Sequence, residues 1–590
     1  MGLPNDSHIE FYQTEIHTHL KKWKELLNQK INSLIAEKNL FVGRIIDYDE
    51  RTGYFKFRLR KDLVPRQHSQ YFFGLIGPKA ISYGDIYEWS FTYREFRESV
   101  PDALWLDRIG GDTNSINCYR LDNDWAYFNF QIPNKSVSND LKQVLQNNGD
   151  AIAIVTESDP PIKYLENLCD FVTHNPGNVT CNSNVEYDIN TWRPQLVDNT
   201  KSIAKDIGEW SSAHDLIIIQ GPPGTGKSYN AAVYCNDLLK SGKTVCICSL
   251  ANKALIEIAS QPGLEAAIDG NKVYKTNLSD DEKSKMPNLL YFDEQIPPPG
   301  SLLLSTYYKF SEIALNLLQA NLRFDVVIIE EASQAFLATI AMFQAVTKKT
   351  ILIGDHMQLP PVVITNKNSL LKIHDHIFGV INGMATVANS NEKQSFRLTK
   401  TRRLTDTAAS LTGKFYDGTL NSISPLNNTK LHASNLTSKA FNNTGGATIV
   451  QLPVADPNYG LAYVKRFIRS LVDDIVNFGN YSIAILAPTV NLEVELTQSL
   501  VKTGRTNQNI TVSTVHKVQG ITVDYAIVYL PLKNSMIELG ENFFNVATSR
   551  AKRGSLIITN QTLDIQAGVE PSVRKFLDQS LSIKKEEIHI

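Results

Sequence analysis

The chain has 590 residues, 42% of them hydrophobic and 20% charged, which is the composition of an ordinary globular protein. At about 150 residues per domain, this length predicts three or four domains. The formal net charge of -2 excludes a bulk attraction to nucleic acid, although a local basic groove stays compatible with such a partner.

The sequence carries no targeting, membrane or zinc signal. The first residues lack the apolar core of a signal peptide, and no stretch approaches the roughly 20 apolar residues of a membrane span. The six cysteines contain no CxxC pair and no zinc spacing. We therefore expect a protein of a reducing compartment without membrane or zinc, either cytoplasmic or, in a eukaryote, nuclear.

Residues 1–40 are predicted to form an amphipathic N-terminal helix. From Tyr12 to Leu34, apolar side chains recur every three or four residues, and lysines and glutamates fill the other face. Such an apolar face packs against its own protein or binds a protein partner, and both interpretations are open.

Residues 41–135 are predicted to form a small, barrel-like β domain, because short alternating runs rich in aromatic residues are separated by Gly, Pro and Asn. Side chains of one run could line a nucleic-acid-binding surface: Phe55, Phe57, Arg58, Arg60 and Lys61. Alternation places the charges of this run on one face, so a solvated outer face is at least as good an interpretation.

Residues 136–200 look like a connector of helix and loop. After it, strand-like and helical runs alternate, which predicts α/β domains with parallel sheets covered on both faces. We place the first at 201–388, with a polar, turn-rich surface insertion at 262–300, and the second at 389–590.

A glycine-rich phosphate loop lies between an apolar strand and a helical run. Its residues are Gly221, Pro222, Pro223, Gly224, Thr225, Gly226, Lys227 and Ser228. The glycines let backbone N–H groups surround phosphates at a helix N-terminus. Lys227 would pair with the β- and γ-phosphates, and the Ser228 hydroxyl would ligate Mg²⁺. Alone, this loop predicts only that a nucleoside triphosphate binds.

Paired carboxylates, Glu330 and Glu331, end an apolar strand further along. Behind a phosphate loop, we expect Glu330 to hold the Mg²⁺ shell and Glu331 to accept a proton from the attacking water. Mere surface charge is the alternative. Because Glu330 is one methylene longer than the usual aspartate, contact with the metal through water is expected rather than direct contact.

Two further residues are candidates for the γ-phosphate. A strand ends at Asp355, and the amide of Gln358 beyond it could sense γ-phosphate or position water. Far downstream, the run Asn545–Lys552 contains Arg550, which is placed to reach the γ-phosphate from a later domain. A helix-start arginine in a salt bridge is the alternative for Arg550.

Taken in order, the segments GPPGTGKS, EEASQA, GDHMQLPP, VHKVQG and NVATSRAK resemble the motif series of superfamily 1 helicases. The resemblance spans about residues 200–560. It is greatest to the 1B branch, near the helicases of nonsense-mediated mRNA decay, and the HKVQG form is similar to RecD-type helicases. It implies two tandem RecA-like domains that use ATP and Mg²⁺, and a translocase or helicase moving 5′-to-3′ on single-stranded DNA or RNA. The β domain would then guide or split the duplex.

The resemblance also assigns nucleotide contacts in the second domain. Arg403 falls on the γ-phosphate arginine of the fourth motif, and Arg402 stands where the family often has a tyrosine, so its guanidinium is a candidate for stacking on adenine. Gln519 and Gly520 would lie near the nucleotide. Arg550 corresponds to the arginine finger, which is worth orders of magnitude in rate.

Contacts to the nucleic-acid strand are implied for short segments of both domains. These residues are Ser249, Asn252, Thr306, Pro488, Thr489, Thr514 and His516.

Some positions depart from the family pattern. Thr200 stands where a glutamine usually reads adenine, and Gln195 is the nearby substitute. His516 replaces the aspartate of the mRNA-decay group, and Thr522 replaces a ribose-contacting glutamate. The alternatives to a motor are an ATP-gated clamp or scaffold whose partner carries the effector chemistry, and a switch NTPase without a nucleic-acid partner.

Overall fold

A computed structural model of the chain divides it among three large β-sheets. It describes residues 5–60, 71–76, 85–99, 103–109, 117–122, 124–132, 135–157, 160–175, 192–294, 296–427, 431–432, 435–451, 457–501, 509–518, 520–531, 540–559 and 569–584. The sheet of seven strands is antiparallel, and the sheets of nine and six strands are parallel. The mixed α/β class predicted from the sequence is therefore confirmed.

The antiparallel sheet contains the segment predicted as a β domain, and we call it the accessory sheet and its domain the accessory domain. Its strand order is β4-β3-β7-β1-β2-β6-β5. Its strands are β1 Leu40–Asp49, β2 Tyr54–Arg60, β3 Tyr71–Ile76, β4 Ala103–Ile109, β5 Asn117–Leu121, β6 Trp125–Phe130 and β7 Ala151–Glu157. Strand β7 comes from the segment predicted as a connector. Period-two alternation in β2 and β6 buries one face of the sheet, which packs around Phe55, Phe57 and Phe128.

The first parallel sheet has strand order β12-β11-β13-β10-β14-β15-β9-β16-β8. Its strands are β8 Gln195–Val197, β9 Leu216–Gln220, β10 Val245–Ser249, β11 Val273–Lys275, β12 Leu290–Tyr291, β13 Leu302–Thr306, β14 Phe324–Glu330, β15 Thr347–Gly354 and β16 Ser395–Leu398. Strands β8 and β16 lie outside the predicted limits 201–388, and β11 and β12 belong to the predicted insertion. All four are too short to show periodicity.

The second parallel sheet has strand order β21-β20-β22-β23-β19-β24. Its strands are β19 Ala447–Gln451, β20 Ile483–Ala487, β21 Ile510–Thr514, β22 Val523–Leu530, β23 Ala551–Thr559 and β24 Leu581–Lys584. A small parallel pair, β17 Lys400–Thr401 and β18 Asn421–Ser422, precedes it.

Helices cover the sheets and connect them. Before the first parallel sheet they are Asn5–Leu27, Ile31–Ala36, Tyr93–Ser99, Lys135–Asn148 and Ile162–His174. With that sheet they are Ala204–Ala213, Lys227–Lys240, Asn252–Ala259, Glu265–Asp269, Asp280–Lys285, Tyr307–Ala320, Leu337–Ala345, Lys367–Ile373, Phe378–Ile381 and Gly383–Ser390. Beyond it they are Asp406–Thr412, Asn435–Ala440, Pro457–Phe478, Val490–Val501, Glu541–Thr548 and Pro571–Gln579. Among the residues that the structure describes, none of these helices is long and apolar enough to cross a bilayer.

The predicted N-terminal helix is two helices. The backbone turns after Leu27, where Ile31 N–H donates to the carbonyl of Phe91, so the chain pairs with the accessory domain instead of continuing the helix. The first helix packs on its own protein at both ends. Its Tyr12 ring meets Phe336 of the first parallel-sheet domain at 5.9 Å, and Trp23 meets the accessory core.

A buried carboxylate fixes this helix to the loop that follows Gln358. Glu15 is 1% exposed and accepts hydrogen bonds from the backbone N–H of Ile364 at 2.6 Å and Thr365 at 3.0 Å. Buried carboxylates are stable when such donors satisfy them. The interpretation that this helix packs against its own protein is therefore confirmed.

Candidate nucleotide site between two domains

The phosphate loop connects the carboxyl end of β9 to the helix Lys227–Lys240. Gly224 and Gly226 have φ of 77° and 84°, the left-handed region that suits glycine. A Cβ on Gly224 would lie 2.3 Å from the Cβ of Arg403. Glycine at this position therefore lets the second domain approach the loop directly.

The two polar side chains that begin the helix face inward. Lys227 Nζ donates to the carbonyl of Gly221 at 2.7 Å, and Ser228 Oγ donates to Glu330 Oε1 at 2.6 Å. The structure thus brings together residues that lie about 100 positions apart and that were both predicted at a metal site.

Glu330 has the chemistry of a divalent-cation ligand. Its carboxylate is 2% exposed, and its Oε2 has no hydrogen-bond partner in the described part of the chain. Burial, followed by the charge of Glu331, raises the pKa of Glu330 to about 7. A hydroxyl beside a buried carboxylate with an oxygen to spare fits the oxygen-rich shell of Mg²⁺.

Glu331 adopts an unusual backbone conformation where the strand ends. Its φ is 54°, left-handed for a residue with a side chain, and a 3-10 turn, Ala332–Gln334, begins directly after it. Such conformations cost energy and cluster at functional sites. Across the cavity, a Cβ on Gly520 would lie 4.0 Å from Glu331 Oε1, so the predicted general base faces the second domain.

A cavity of about 580 Å³ separates the two domains at this point. The first domain lines it with the loop Pro223–Ser228 and with Tyr229, Ser249, Lys253, Glu257, Glu330, Glu331, Gln334 and Gln358. The second lines it with Arg402, Arg403, Thr511, Ser513, Lys517, Gly520, Thr522 and Arg550. All predicted catalytic residues therefore line one cavity. Gln519 lies outside the described residues.

Two guanidinium groups of the second domain end in this cavity. Arg550 is 1% exposed, and burial lowers its pKa, which the carboxylate of Glu331 partly opposes. Burial and then the charge of Arg550 lower the pKa of Arg403 to about 9. Two cations that repel one another in a low-dielectric cavity would be relieved by an anion between them. This is the electrostatic environment that a γ-phosphate needs.

Gln358 lies between the carboxylate of Asp355 and the arginine finger candidate. Its Nε2 donates to Asp355 Oδ2 at 3.0 Å, and its Oε1 accepts from Arg550 at 3.4 Å. The amide is 3% exposed, so both of its ends are held by protein. The sequence identified Gln358 and Arg550, and the structure joins them directly.

Arg402, the candidate for stacking on adenine, lines the cavity. Its guanidinium donates to the carbonyls of Asn199 at 2.9 Å and Thr200 at 2.7 Å, which fixes the plane of the group. Gln195 instead lies on edge strand β8 and donates to the carbonyl of Lys393. The suggestion that Gln195 replaces the adenine-reading glutamine is therefore wrong, because this side chain is engaged elsewhere and does not line the cavity.

Asn199 contacts the candidate site, and no sequence pattern reveals this residue. It is fully buried, and its Nδ2 donates to the carbonyls of Thr225 and Lys400, both at 2.8 Å. The side-chain amide of Asn199 thus joins the phosphate loop to the segment that carries Arg402 and Arg403. The only sequence signal is its position next to Thr200, where the family pattern has a glutamine.

Three of the residues predicted to contact the nucleic-acid strand lie at or just after the carboxyl ends of β-strands in the first parallel sheet. Ser249 and Thr306 are register partners on β10 and β13, and Thr306 Oγ1 accepts from the N–H of Lys309 at the start of a helix. Asn252 accepts from Lys275 Nζ at 2.9 Å. Ser249 is fully buried and lines the nucleotide cavity. The burial of Ser249 in the cavity wall favours a place beside the nucleotide site over a contact with an exposed nucleic-acid strand.

The predicted contacts of the second domain share one edge of its sheet. Pro488 and Thr489 follow β20, and Thr514 ends the neighbouring β21, where it is the register partner of Ala487. Thr489 and His516 are exposed, whereas Thr514 is 5% exposed. The helix that begins after Thr489 lies against β5 of the accessory sheet.

The basic run of the accessory domain does not share a face with its phenylalanines. Phe55 and Phe57 are fully buried on the opposite side of β2, so the suggested joint surface is wrong. On the outer side, the guanidinium of Arg58 lies 4.9 Å from the ring of Trp125. Lys61 lies outside the described residues. The outer face is thus charged and aromatic, with different aromatic partners.

The fold and the cavity define a class of protein: a P-loop nucleotide-binding protein with two RecA-like domains. A family model described as an AAA domain matches residues 301–366, which include Glu330, Glu331 and Gln358. The chain is 28% identical over 206 residues to the regulator of nonsense transcripts 1 homolog of Arabidopsis thaliana. It is 26% identical over 209 residues to the DNA-binding protein SMUBP-2 of Mesocricetus auratus.

These matches show that part of the chain is similar to an AAA domain and to these two proteins. The two alignments cover 28% and 26% of this chain, and they span only 16% and 21% of those relatives. Among solved structures, the arterivirus nonstructural protein 10 (helicase) complex with DNA aligns over 61% of this chain and 64% of that chain. Its identity is 13% and its TM-score 0.31. The PRRSV helicase aligns over 77% and 64%, at 13% identity and a TM-score of 0.30.

Proposed function

We propose that the chain is an ATP-dependent translocase or helicase that moves on single-stranded nucleic acid, using Mg²⁺ with ATP. The observation that carries the proposal is the single cavity shared by the phosphate loop and the two arginines Arg403 and Arg550. A site completed by both domains exists in full only when they are together. Hydrolysis at such a site therefore changes the relative position of the domains.

The predicted catalytic and metal-binding residues of the cavity each have a proposed part in hydrolysis. Lys227 neutralises the β- and γ-phosphates, and Ser228 and Glu330 would hold the Mg²⁺, which supplies charge stabilisation to the transferred phosphoryl group. Glu331 accepts a proton from the water whose oxygen attacks the γ-phosphorus as the bond to the ADP oxygen breaks.

The two arginines and the glutamine complete the proposed site. Arg403 and Arg550 stabilise the negative charge that develops on the transferred group, since both guanidiniums end in the cavity. Gln358 positions the attacking water or senses the γ-phosphate, because its amide is held beside Arg550. The buried setting strengthens each of these interactions relative to water.

The strand is proposed to cross the carboxyl edges of both parallel sheets. The turn Pro488–Thr489 and the exposed His516 would contact it on the second domain, with Asn252 and Thr306 on the first. The two parallel-sheet domains would bind the nucleic acid alternately, which would move the protein along the sugar–phosphate backbone. The accessory domain would guide the nucleic-acid strand. Resemblance to the 1B branch supports 5′-to-3′ movement.

Tailed duplexes test this proposal. With ATP and Mg²⁺, duplexes carrying a 5′ single-stranded tail should be unwound and those with a 3′ tail should not, and DNA and RNA versions identify the preferred strand. Unwinding from 3′ tails alone would contradict the direction. ATP-stimulated binding without unwinding would indicate a clamp instead of a motor.

Replacing Arg402 with alanine should raise the KM for ATP about tenfold with little change in kcat, because stacking on a base is worth roughly 1–3 kcal/mol. A guanidinium stacks on every base, so the KM for GTP should rise by a similar factor. Arg469→Ala is the matched control, since its side chain donates to the carbonyl of Lys465, away from the cavity. A fall in kcat with unchanged KM would place Arg402 at the phosphates instead.

A further inference from the structure

We infer that Tyr416, Asn542 and Asn545 of the second domain form an interdomain network that positions Gln358 against Arg550 for hydrolysis. The inference rests on the proposed ATPase activity. It assigns to these three residues a positioning role, because they act on the catalytic pair through the loop Asp355–Gln358 and do not line the nucleotide cavity.

The centre of the network is the hydroxyl of Tyr416. It donates to Asp355 Oδ2 at 2.6 Å and accepts from Asn545 Nδ2 at 2.7 Å, and the tyrosine is fully buried. Asp355 follows β15 of the first domain, whereas Tyr416 and Asn545 belong to the second. One hydroxyl thus bonds both domains in a buried setting, where hydrogen bonds are strong and costly to break.

The helix Glu541–Thr548 holds the backbone of the same loop. Asn542 Nδ2 donates to the carbonyls of His356 at 2.7 Å and Gln358 at 2.5 Å. Asn545 Nδ2 donates to the carbonyl of Met357 at 2.7 Å. Each of the successive carbonyls from 356 to 358 therefore accepts a bond from the second domain. Arg550 follows Asn545 by five residues, just beyond the end of this helix.

Asp355 transmits this arrangement to the amide of Gln358. The carboxylate is fully buried, and its two oxygens accept from Tyr416 and Gln358 on one side and from Gln220 on the other. Because Asp355 takes the Nε2 end of Gln358, the Oε1 end faces Arg550. Loss of the tyrosine hydroxyl removes one donor from the oxygen that fixes the amide.

The consequence is a link between domain closure and catalysis. The bonds of Tyr416, Asn542 and Asn545 form only when the two domains meet as they do here. The same meeting brings Arg550 to Gln358. An enzyme built this way has its water-positioning amide and its arginine in register only in the closed state, so hydrolysis waits for closure.

Tyr416→Phe tests the role, since it removes one oxygen and keeps the ring. We expect kcat for ATP to fall at least about tenfold while KM changes little, because small misplacements of catalytic groups are costly in rate. Tyr525→Phe is the matched control: this tyrosine also belongs to the second domain and donates to the carbonyl of Leu431, away from the cavity. Both variants should unfold at similar temperatures.

A double-mutant cycle separates positioning from a structural effect. If Tyr416 acts through Gln358, adding Tyr416→Phe to Gln358→Ala should lower kcat no further. Effects that multiply, or a kcat of Tyr416→Phe equal to that of the wild type, would overturn the inference while leaving the ATPase proposal intact. A wild-type chain without ATPase activity would overturn the proposed function, and the role of the network with it.

Discussion

Lys227→Ala should reduce ATP hydrolysis to background while the chain stays folded. The ammonium lies 2.7 Å from the carbonyl of Gly221, over the loop that would hold the phosphates, and alanine removes the only part of the side chain that reaches them. The measurement is phosphate release at saturating ATP and Mg²⁺.

The same helix supplies the control for this variant. Lys240 ends the helix that Lys227 begins, and its side chain is 68% exposed. Lys240→Ala should therefore hydrolyse ATP at the wild-type rate and unfold at the same temperature as Lys227→Ala. Retained turnover in Lys227→Ala would refute the assignment of the nucleotide site.

Arg550→Ala should lower kcat by at least about 10²-fold with a modest change in ATP affinity, since an arginine finger acts mainly on charge that develops in the transition state. The guanidinium is 1% exposed and contacts Gln358, so its effect is local to the catalytic cavity. Single-turnover hydrolysis and nucleotide-binding titrations measure the two quantities separately.

An exposed arginine of the same domain serves as the comparison. Arg574→Ala changes a surface residue of the helix Pro571–Gln579 and should leave kcat unaltered. If Arg550→Ala kept a near-normal kcat, Arg550 would not be the finger, and the adjacent guanidinium of Arg403 would be the candidate to test next.

The placement of Lys227, Glu331 and Gln358 at one site could be predicted because the sequence signals of these three residues are local. Each signal lies within a few residues of an apolar run that predicts a strand. The signals are a phosphate loop, paired carboxylates at a strand end and a polar loop after the next strand. Parallel strands bring such ends to one edge of a sheet. The structure accordingly gathers Lys227, Glu331 and Gln358 around one cavity.

The supporting residues could not be predicted because their roles depend on partners far away in sequence. Asn199 joins segments that are 26 and 201 residues distant from it, and Tyr416 meets Asp355 across 61 residues. No local sequence pattern around Asn199 or Tyr416 predicts these long-range hydrogen bonds. Burial was equally invisible, as Ser249 shows: its resemblance-based role was a strand contact, yet it is fully buried beside the nucleotide cavity.

The predicted domain boundaries differ from the structure where the strands are short. Strands β8 and β16 contribute three and four residues to the first parallel sheet, too few to show alternation or an apolar run. The N-terminal helix was predicted as one unit because the apolar spacing continues through its break. Only the tertiary pairing of Ile31 with Phe91 reveals the turn.

We propose that two domains build one ATP site and together grip a nucleic-acid strand. The measurement that tests this proposal most sharply is the rate of ATP hydrolysis with and without single-stranded oligonucleotide. We expect the oligonucleotide to raise kcat severalfold, and the stimulation to weaken as salt screens the phosphate contacts. An ATPase rate unaffected by DNA and RNA at every salt concentration would contradict it.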